Sequence, residues 1–188
     1  MIRSFGNKDT ERLWRRERVP SIDPRIQRVA LSKLHQVGSA VALNDLRSPP
    51  GNRLEALQDD RTGPYSISGE FVSFGQRRRS LTTTEKIPPI HPGEVLMEDF
   101  ITGFGITQNK LAVSIGVPSR RINEIVHGKR GITADTALRL GKYFGTSAEF
   151  WLNLQSHYEL SRAEDRAREQ IAAIIPLEPQ KDGRAPGE

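Results

Sequence analysis

The chain has 188 residues, 36% hydrophobic and 27% charged, with a formal net charge of +5, which is room for one large or two small globular domains. It has no cysteine, and His35, His91, His127 and His157 are scattered without ligand spacing; disulfides, thiol catalysis and thiolate metal sites are excluded, and no metal or cofactor is expected. No run approaches the roughly 18 apolar residues of a membrane helix, and the N-terminus lacks the apolar centre of a signal peptide, so a cytoplasmic location without membrane contact is expected.

The charge is uneven, +6 over residues 1–80 and −1 over residues 81–188. Bulk balance alone would put nucleic acid on the first half. Yet Arg120, Arg121, Lys129 and Arg130 gather in one short stretch of the second, and local charge decides where a binding face lies.

In chain order, Ile2–Phe5 reads as a short strand and Asp9–Arg16 as a helical segment. A second helix runs from about Ile22 to Val37, with Ile22, Ile26, Val29, Ala30, Leu34 and Val37 on one apolar face. Asp23-Pro24 suits its start and Gly38 its stop. Residues 46–52, LRSPPGN, form a rigid loop, and Arg53–Leu57 with Pro64–Ser68 forms a hairpin across residues 58–63. The order β-α-α-β-β makes the first part α+β.

MIRSFGNKDTERLW, the helix IQRVALSKLHQV and LRSPPGNRLEALQDDRTGPYSI closely resemble HigB-type toxins, small ribonucleases of the RelE-like fold that cut ribosome-associated messenger RNA. The resemblance covers residues 1 to about 67 and then stops. That family continues into a long central strand with Trp and Arg and a last strand with an Asp-Tyr-His-like motif, whereas residues 68–80 here read SGEFVSFGQRRRS. The strands that would complete sheet and active site are missing, so no catalytic residue is assigned and no enzyme activity is expected. His35 is read as a structural histidine, and Arg77-Arg78-Arg79 as solvated linker. What remains of the sheet buries little and is marginal alone.

The seam is LTTTEKIPPI, residues 81–90. Its threonines and Pro88-Pro89 favour extended chain, which places a truncated toxin remnant at 1–80, a linker at 81–91 and a second domain at 92–175. A helix from about Gly93 to Ile101 turns Val95, Leu96 and Phe100 inward. Next, Thr107–Gly131, TQNKLAVSIGVPSRRINEIVHGKRG, has the residues of a helix-turn-helix. Ala112 is small enough for a close crossing, Gly116 permits the turn, and Leu111, Ile115, Val117, Ile122 and Ile125 lie beneath both helices. Ser119, Arg120, Asn123, Glu124, His127, Lys129 and Arg130 are left facing outward, on a face that can enter a major groove.

Thr133 caps a helix Ala134–Phe144 that buries Ala137, Leu138, Leu140, Tyr143 and Phe144 and ends at Gly145. Thr146–Glu149 suits a capping box for a long last helix with Phe150, Trp151, Leu154, Tyr158 and Leu160 at core spacing. The tail, 176–188, has the composition of disordered chain.

From IHPGEVLMEDF through VPSRRINEIVHGKRGITADTALRLGKYFGTSAEFWLNLQ and the following helix, the second half resembles HigA-type antitoxins of the lambda-repressor-like (Xre) class. The resemblance implies an all-α domain that binds palindromic double-stranded operator DNA as a homodimer, represses its own operon and neutralises a HigB-type toxin. Arg120 then contacts bases, and Arg121 does so less because it turns toward the core side. Lys129 and Arg130 meet phosphates, and Gln108 with helix N-terminal amides holds another. Glu124 either repels phosphate or accepts from a cytosine amine. Alternatives are a ribosome-dependent mRNA interferase with built-in antitoxin and an interaction module that binds no DNA. The uncovered helix face of the first half leads us to expect that it docks on a helix-turn-helix domain, in its own chain or a dimer mate.

Overall fold

The computed structural model describes residues 2, 4–56, 65–66 and 86–177. Helix α1 (Lys8–Trp14) starts where the Asn7 side chain accepts from Thr10 N at 2.8 Å, and Asp9 and Glu11 complement its N-terminal dipole. Helix α2 (Pro24–Ser39) starts at Asp23-Pro24 as the sequence predicts, Asp23 accepting from Arg25 N. It does not stop at Gly38. It runs to Ser39, and the glycine serves packing instead: a Cβ there would come within 2.7 Å of the Trp14 ring.

The buried face of α2 is also not the predicted apolar stripe. Val29 is 53% exposed, while Gln27, Leu31, His35, Gln36 and Ser39 are buried. Ile22, Ala30 and Leu34 pack at the margin. The two glutamines tolerate burial because they have partners: Gln27 accepts from Val19 N at 2.9 Å and donates to the Val19 and Ile22 carbonyls, and Gln36 donates to Asp99, whereas the buried Ser39 hydroxyl has none.

The predicted loop over 46–52 is instead helix α3 (Leu43–Arg47) and a 3-10 turn, Pro50–Asn52. Asp45 in α3 is buried and accepts from Val41 N, Ala42 N, Ser147 N and Ser147 Oγ at 2.6–3.0 Å. Burial pushes its carboxyl up, but these bonds outweigh it and hold the group below the usual carboxylate range.

The expected α+β character does not materialise among the described residues. Ile2, Ser4 and Phe5 are irregular, and the hairpin is reduced to β1 (Glu55–Ala56) paired antiparallel with β2 (Tyr65–Ser66). Among the described residues this two-stranded pair is the whole sheet, and the remaining elements of this part are helices. Residues 67–85, with Arg77-Arg78-Arg79 and the first five residues of the expected linker, lie outside the described residues, as does the tail beyond 177.

The second half is all helical, as expected. Helix α4 (Pro92–Val95) is capped by His91, whose Nδ1 accepts from Gly93 N at 2.9 Å, and it continues into a π-helical segment, Leu96–Thr102. Then come α5 (Gln108–Ser114), α6 (Ser119–Val126), α7 (Ala134–Phe144) and α8 (Ala148–Ala172). Leu96, Phe100, Leu111, Ile122, Ile125, Leu140, Phe150 and Trp151 are fully buried, and Trp151 Nε1 donates to Thr146 Oγ1. Leu138, Tyr143 and Leu160, expected inside, are exposed; α7 buries Ala137, Leu140 and Phe144 as expected, together with Thr136 and Gly141. Ser147 alone caps α8, with no capping box.

One buried apolar cluster passes through both halves, joining Leu13, Val19 and Leu31 to Ile87, Ile90, Leu96 and the helix-turn-helix core. Residues 8–52 pack against the helix-turn-helix unit of the same chain. Helix α2 lies along α8, and Arg16, in left-handed backbone (φ 64°), reaches inward to donate to the carbonyls of Ile87 and Ser161 and to Asp165. Ile87 N returns a bond to Arg16 O at 2.8 Å, so the last residues of the seam are stitched to both halves.

Candidate nucleic-acid interface

The frame of the site follows from small residues at the crossing. Ala112 is fully buried between α5 and α6, and Gly116 takes φ 67°, which lets Val117 N bond back to Ala112 O at 3.0 Å and aims α6 across α5. Arg139 in α7 donates to the Ile115 carbonyl at 2.9 Å and pins the turn from the other side. At the far end of α6, Gly93 lies so near the Ile125 carbonyl oxygen that a Cβ would sit 1.9 Å from it. The helix is held at both ends.

Ser119, Arg120, Asn123 and His127 share the exposed face of α6 and its exit, and Lys129 and Arg130 follow in the exposed loop. Arg120 is the most prominent, its side chain 88% exposed. Ser119 Oγ donates to Asn109 at 2.6 Å, and Asn123 Nδ2 donates to Gln108 Oε1 at 3.2 Å, so both are oriented by α5. The amide nitrogen of Gln108 lies 3.6 Å from Met97 Sδ, so this side chain bridges neighbouring elements. The N-cap of α5 is Thr107, which accepts from Lys110 N. His127 Nδ1 lies 2.8 Å from the Asn123 carbonyl.

Glu124 is held by two arginines. One oxygen accepts from Arg120 Nε at 2.6 Å and the other from Arg130 at 3.1 Å, while its backbone carbonyl accepts from Lys129 N and Arg130 N. The Arg120 hydrogen bond, then the charges of Arg120, Arg130 and Lys129, hold its carboxyl below the ordinary glutamate range. The carboxylate is a clamp that gathers two arginines at one end of the face. Arg121 is half-buried and donates to Asp135 at 2.7 Å, tying α6 to α7 as its predicted lean toward the core side suggests.

Asn109, Asp135 and Arg139 escaped the sequence reading. For the last two a signal existed, since Asp135 and Arg139 are spaced i,i+4 and do pair at 2.9 Å. Among the described residues no group of three or more acidic, histidine or cysteine side chains could hold a metal ion, and no helix is long and apolar enough to cross a membrane.

This bracing of α5 and α6 around a small-residue crossing defines a helix-turn-helix protein, and the helix-turn-helix family model matches residues 102–151. Virulence-associated protein I of Dichelobacter nodosus is 50% identical over 92 residues, covering 49% of this chain and 84% of that protein. Antitoxin HigA-1 of Vibrio cholerae is 33% identical over 89 residues, 47% of this chain and 84% of that one. The solved Pseudomonas aeruginosa antitoxin HigA with the higBA promoter is 49% identical, covering 47% of this chain and 98% of that chain, with a TM-score of 0.46. The chain belongs to the HigA-type helix-turn-helix antitoxin family.

Proposed function

We propose that the protein is a sequence-specific DNA-binding repressor of the antitoxin type, which reads a palindromic operator as a homodimer and carries an inactive toxin remnant at its N-terminus. The observation that carries this reading is the exposed polar face of α6, presented on a helix braced at both ends, with Arg120 and Arg130 gathered by Glu124. Arg120, Ser119 and Asn123 are assigned to base edges, and Lys129, Arg130 and His127 to phosphates at the exit. Gln108 sets Asn123 and completes the phosphate contact at the start of α5, Arg121 steadies α6 from behind, and Glu124 hands Arg120 to the groove as the ion pair opens. The similarity to the Vibrio cholerae antitoxin supports a HigB-type toxin as a further partner. The remnant reading of residues 1–80, with a linker at 81–91 and the DNA-binding domain at 92–175, is supported by the truncated resemblance of the first half.

The test is selection of operator sequences from random DNA, followed by binding of the full chain to the selected site. Half-sites about 34–36 Å apart along the duplex are expected for a dimer of this fold. Arg120→Ala should weaken operator binding by about 1–3 kcal/mol and leave random DNA nearly unchanged. Equal loss on both would reduce Arg120 to a phosphate contact, and no selected site at all would refute the reading.

A further inference from the structure

Trp14, Arg16, His35 and His157 meet around a cleft of about 520 Å³ between the end of α1, helix α2 and helix α8. That is the size of a small-molecule site, for which roughly 300–1,000 Å³ is usual. One wall is a single face of α8, where His157, Ser161, Glu164 and Arg168 stand at i, i+4, i+7 and i+11.

The inner end is built around two imidazoles. His35 is 5% exposed, its ring is stacked on that of His157 at 5.8 Å, and Trp14 sits edge-on to both at 5.3 and 5.4 Å. Among the described residues neither imidazole has a hydrogen-bond partner. The ring nitrogens of His35 are nonetheless not sealed off, since the one fully enclosed side-chain polar atom without a partner among those residues is the Ser39 hydroxyl. A buried imidazole whose nitrogens open unpaired into a cleft needs a group there that accepts from its N–H.

Charge decides which group. Arg15, Arg16 and Glu17 face the cleft from the end of α1, Lys86 from the seam, and Glu164 and Arg168 from α8. The acids are engaged or peripheral: Asp165, next to Glu164, accepts from Arg16 at 2.5 Å and lies 3.8 Å from Lys86, Glu17 is 3.4 Å from Arg12, and Glu164 is exposed one turn before Arg168. Arg15 is tied to Glu11 at 2.6 Å. Burial, then the charges of His157 and Arg16, hold the His35 ring neutral, and no carboxylate offsets them. What this end lacks is an anion.

We propose that the cleft binds a phosphate monoester, its phosphate accepting from His35 and His157, with Lys86 and Arg168 closing on it from the rim and its organic part against Trp14. A phosphate suits two imidazole donors and two flexible cations better than a carboxylate does, because it brings three acceptor oxygens and a charge of about −1.5 to −2. Bound there it touches α2, the seam and α8 at once. The cleft lies apart from the α6 face, so the proposal stands or falls without DNA binding.

The test is NMR of the four histidine rings in the full chain at about pH 7, titrated with inorganic phosphate and separately with adenosine monophosphate, against chloride at matched ionic strength. Both probes should shift the His35 and His157 rings saturably. At saturation the His35 pKa should rise by about one unit, because a neighbouring anion favours the imidazolium. His91, whose Nδ1 accepts from Gly93 N, should stay still. Adenosine monophosphate should bind about fivefold more tightly than phosphate through its organic part, and Lys86→Gln with Arg168→Gln should weaken both probes by about the same factor. Equal affinity for the two probes overturns the ester, and a double variant that binds as the unaltered chain does overturns the cationic rim. A shift confined to His127 places phosphate on the α6 face, and no saturable shift at His35, or the same shift with chloride, leaves only water in the cleft; each of these overturns the proposal.

Discussion

His35 makes the interface between the two halves sensitive to acid, and its effect can be worked through. It is 5% exposed, set edge-on to Trp14 at 5.3 Å and stacked on His157 at 5.8 Å, with Arg16 close by. Burial first, then the charges of His157 and Arg16, lower its pKa from 6.5 to about 4. The charged groups that line the same cleft are Arg15, Arg16, Glu17, Lys86, Glu164 and Arg168. With the folded value depressed, the unfolded chain takes up a proton below pH 6.5 that the folded chain refuses until about pH 4. Stability from this group is therefore complete above pH 6.5 and declines as pH falls through that window. One pKa unit corresponds to about 1.4 kcal/mol, so the loss is about 2 kcal/mol at pH 5 and about 3 kcal/mol at pH 4. Urea unfolding of the unaltered chain and of His35→Gln, from pH 8 to pH 4.5, measures it. The variant should be less stable at pH 8 and show a shallower decline on acidification, by up to about 1.4 kcal/mol per pH unit. A variant whose decline parallels that of the unaltered chain would refute the assignment and move the acid sensitivity to another group.

Asp45→Ala removes an acceptor for three backbone amides and the Ser147 hydroxyl, and should cost about 2–4 kcal/mol by chemical denaturation, with near-UV circular dichroism showing loosened tertiary packing. Because its carboxyl is held below the ordinary range, the stability it supplies is present at neutral pH and falls away only as pH drops through and below about 4; the variant's deficit should shrink there. Gly93→Ala places a methyl 1.9 Å from the Ile125 carbonyl oxygen and must push α4 away from α6; both stability and operator binding should fall, and a variant equal to the unaltered chain on both would contradict the close approach. Purified protein added to translating ribosomes should leave messenger RNA intact, and cleavage abolished by His35→Gln would restore the ribonuclease reading.

What the sequence disclosed was the local part. Ala112, Gly116, Ile122 and Ile125 specify a crossing within fifteen residues of one another, and the outward positions on α6 follow from helical spacing alone. The face of α2 was misread because an apolar pattern counts only apolar residues, whereas Gln27, His35 and Gln36 are buried through partners that the pattern cannot see. Gly38 looked like a stop signal because Trp14, its true reason, lies 24 positions earlier. The same blindness hid the pairs Arg16–Asp165 and Asp45–Ser147, which are 149 and 102 residues apart. On the candidate interface, spacing placed the arginines but did not reveal the Glu124–Arg130 pair, because Arg130 lies beyond the helix in a loop.

The order in which the two halves leave the ribosome follows from that long reach. Arg16 cannot close its contact with Asp165 until 149 further residues have been added, about 7–30 s at a synthesis rate of roughly 5–20 residues per second. Until α8 has been made, Leu13, Val19 and Leu31 lack part of the core they join in the finished chain, which leaves apolar surface open to chaperones and proteases. A permuted chain with the helix-turn-helix unit synthesised first would offer the segment its cover as it emerges, and should yield more folded protein under limited chaperone supply, although the finished contacts are identical.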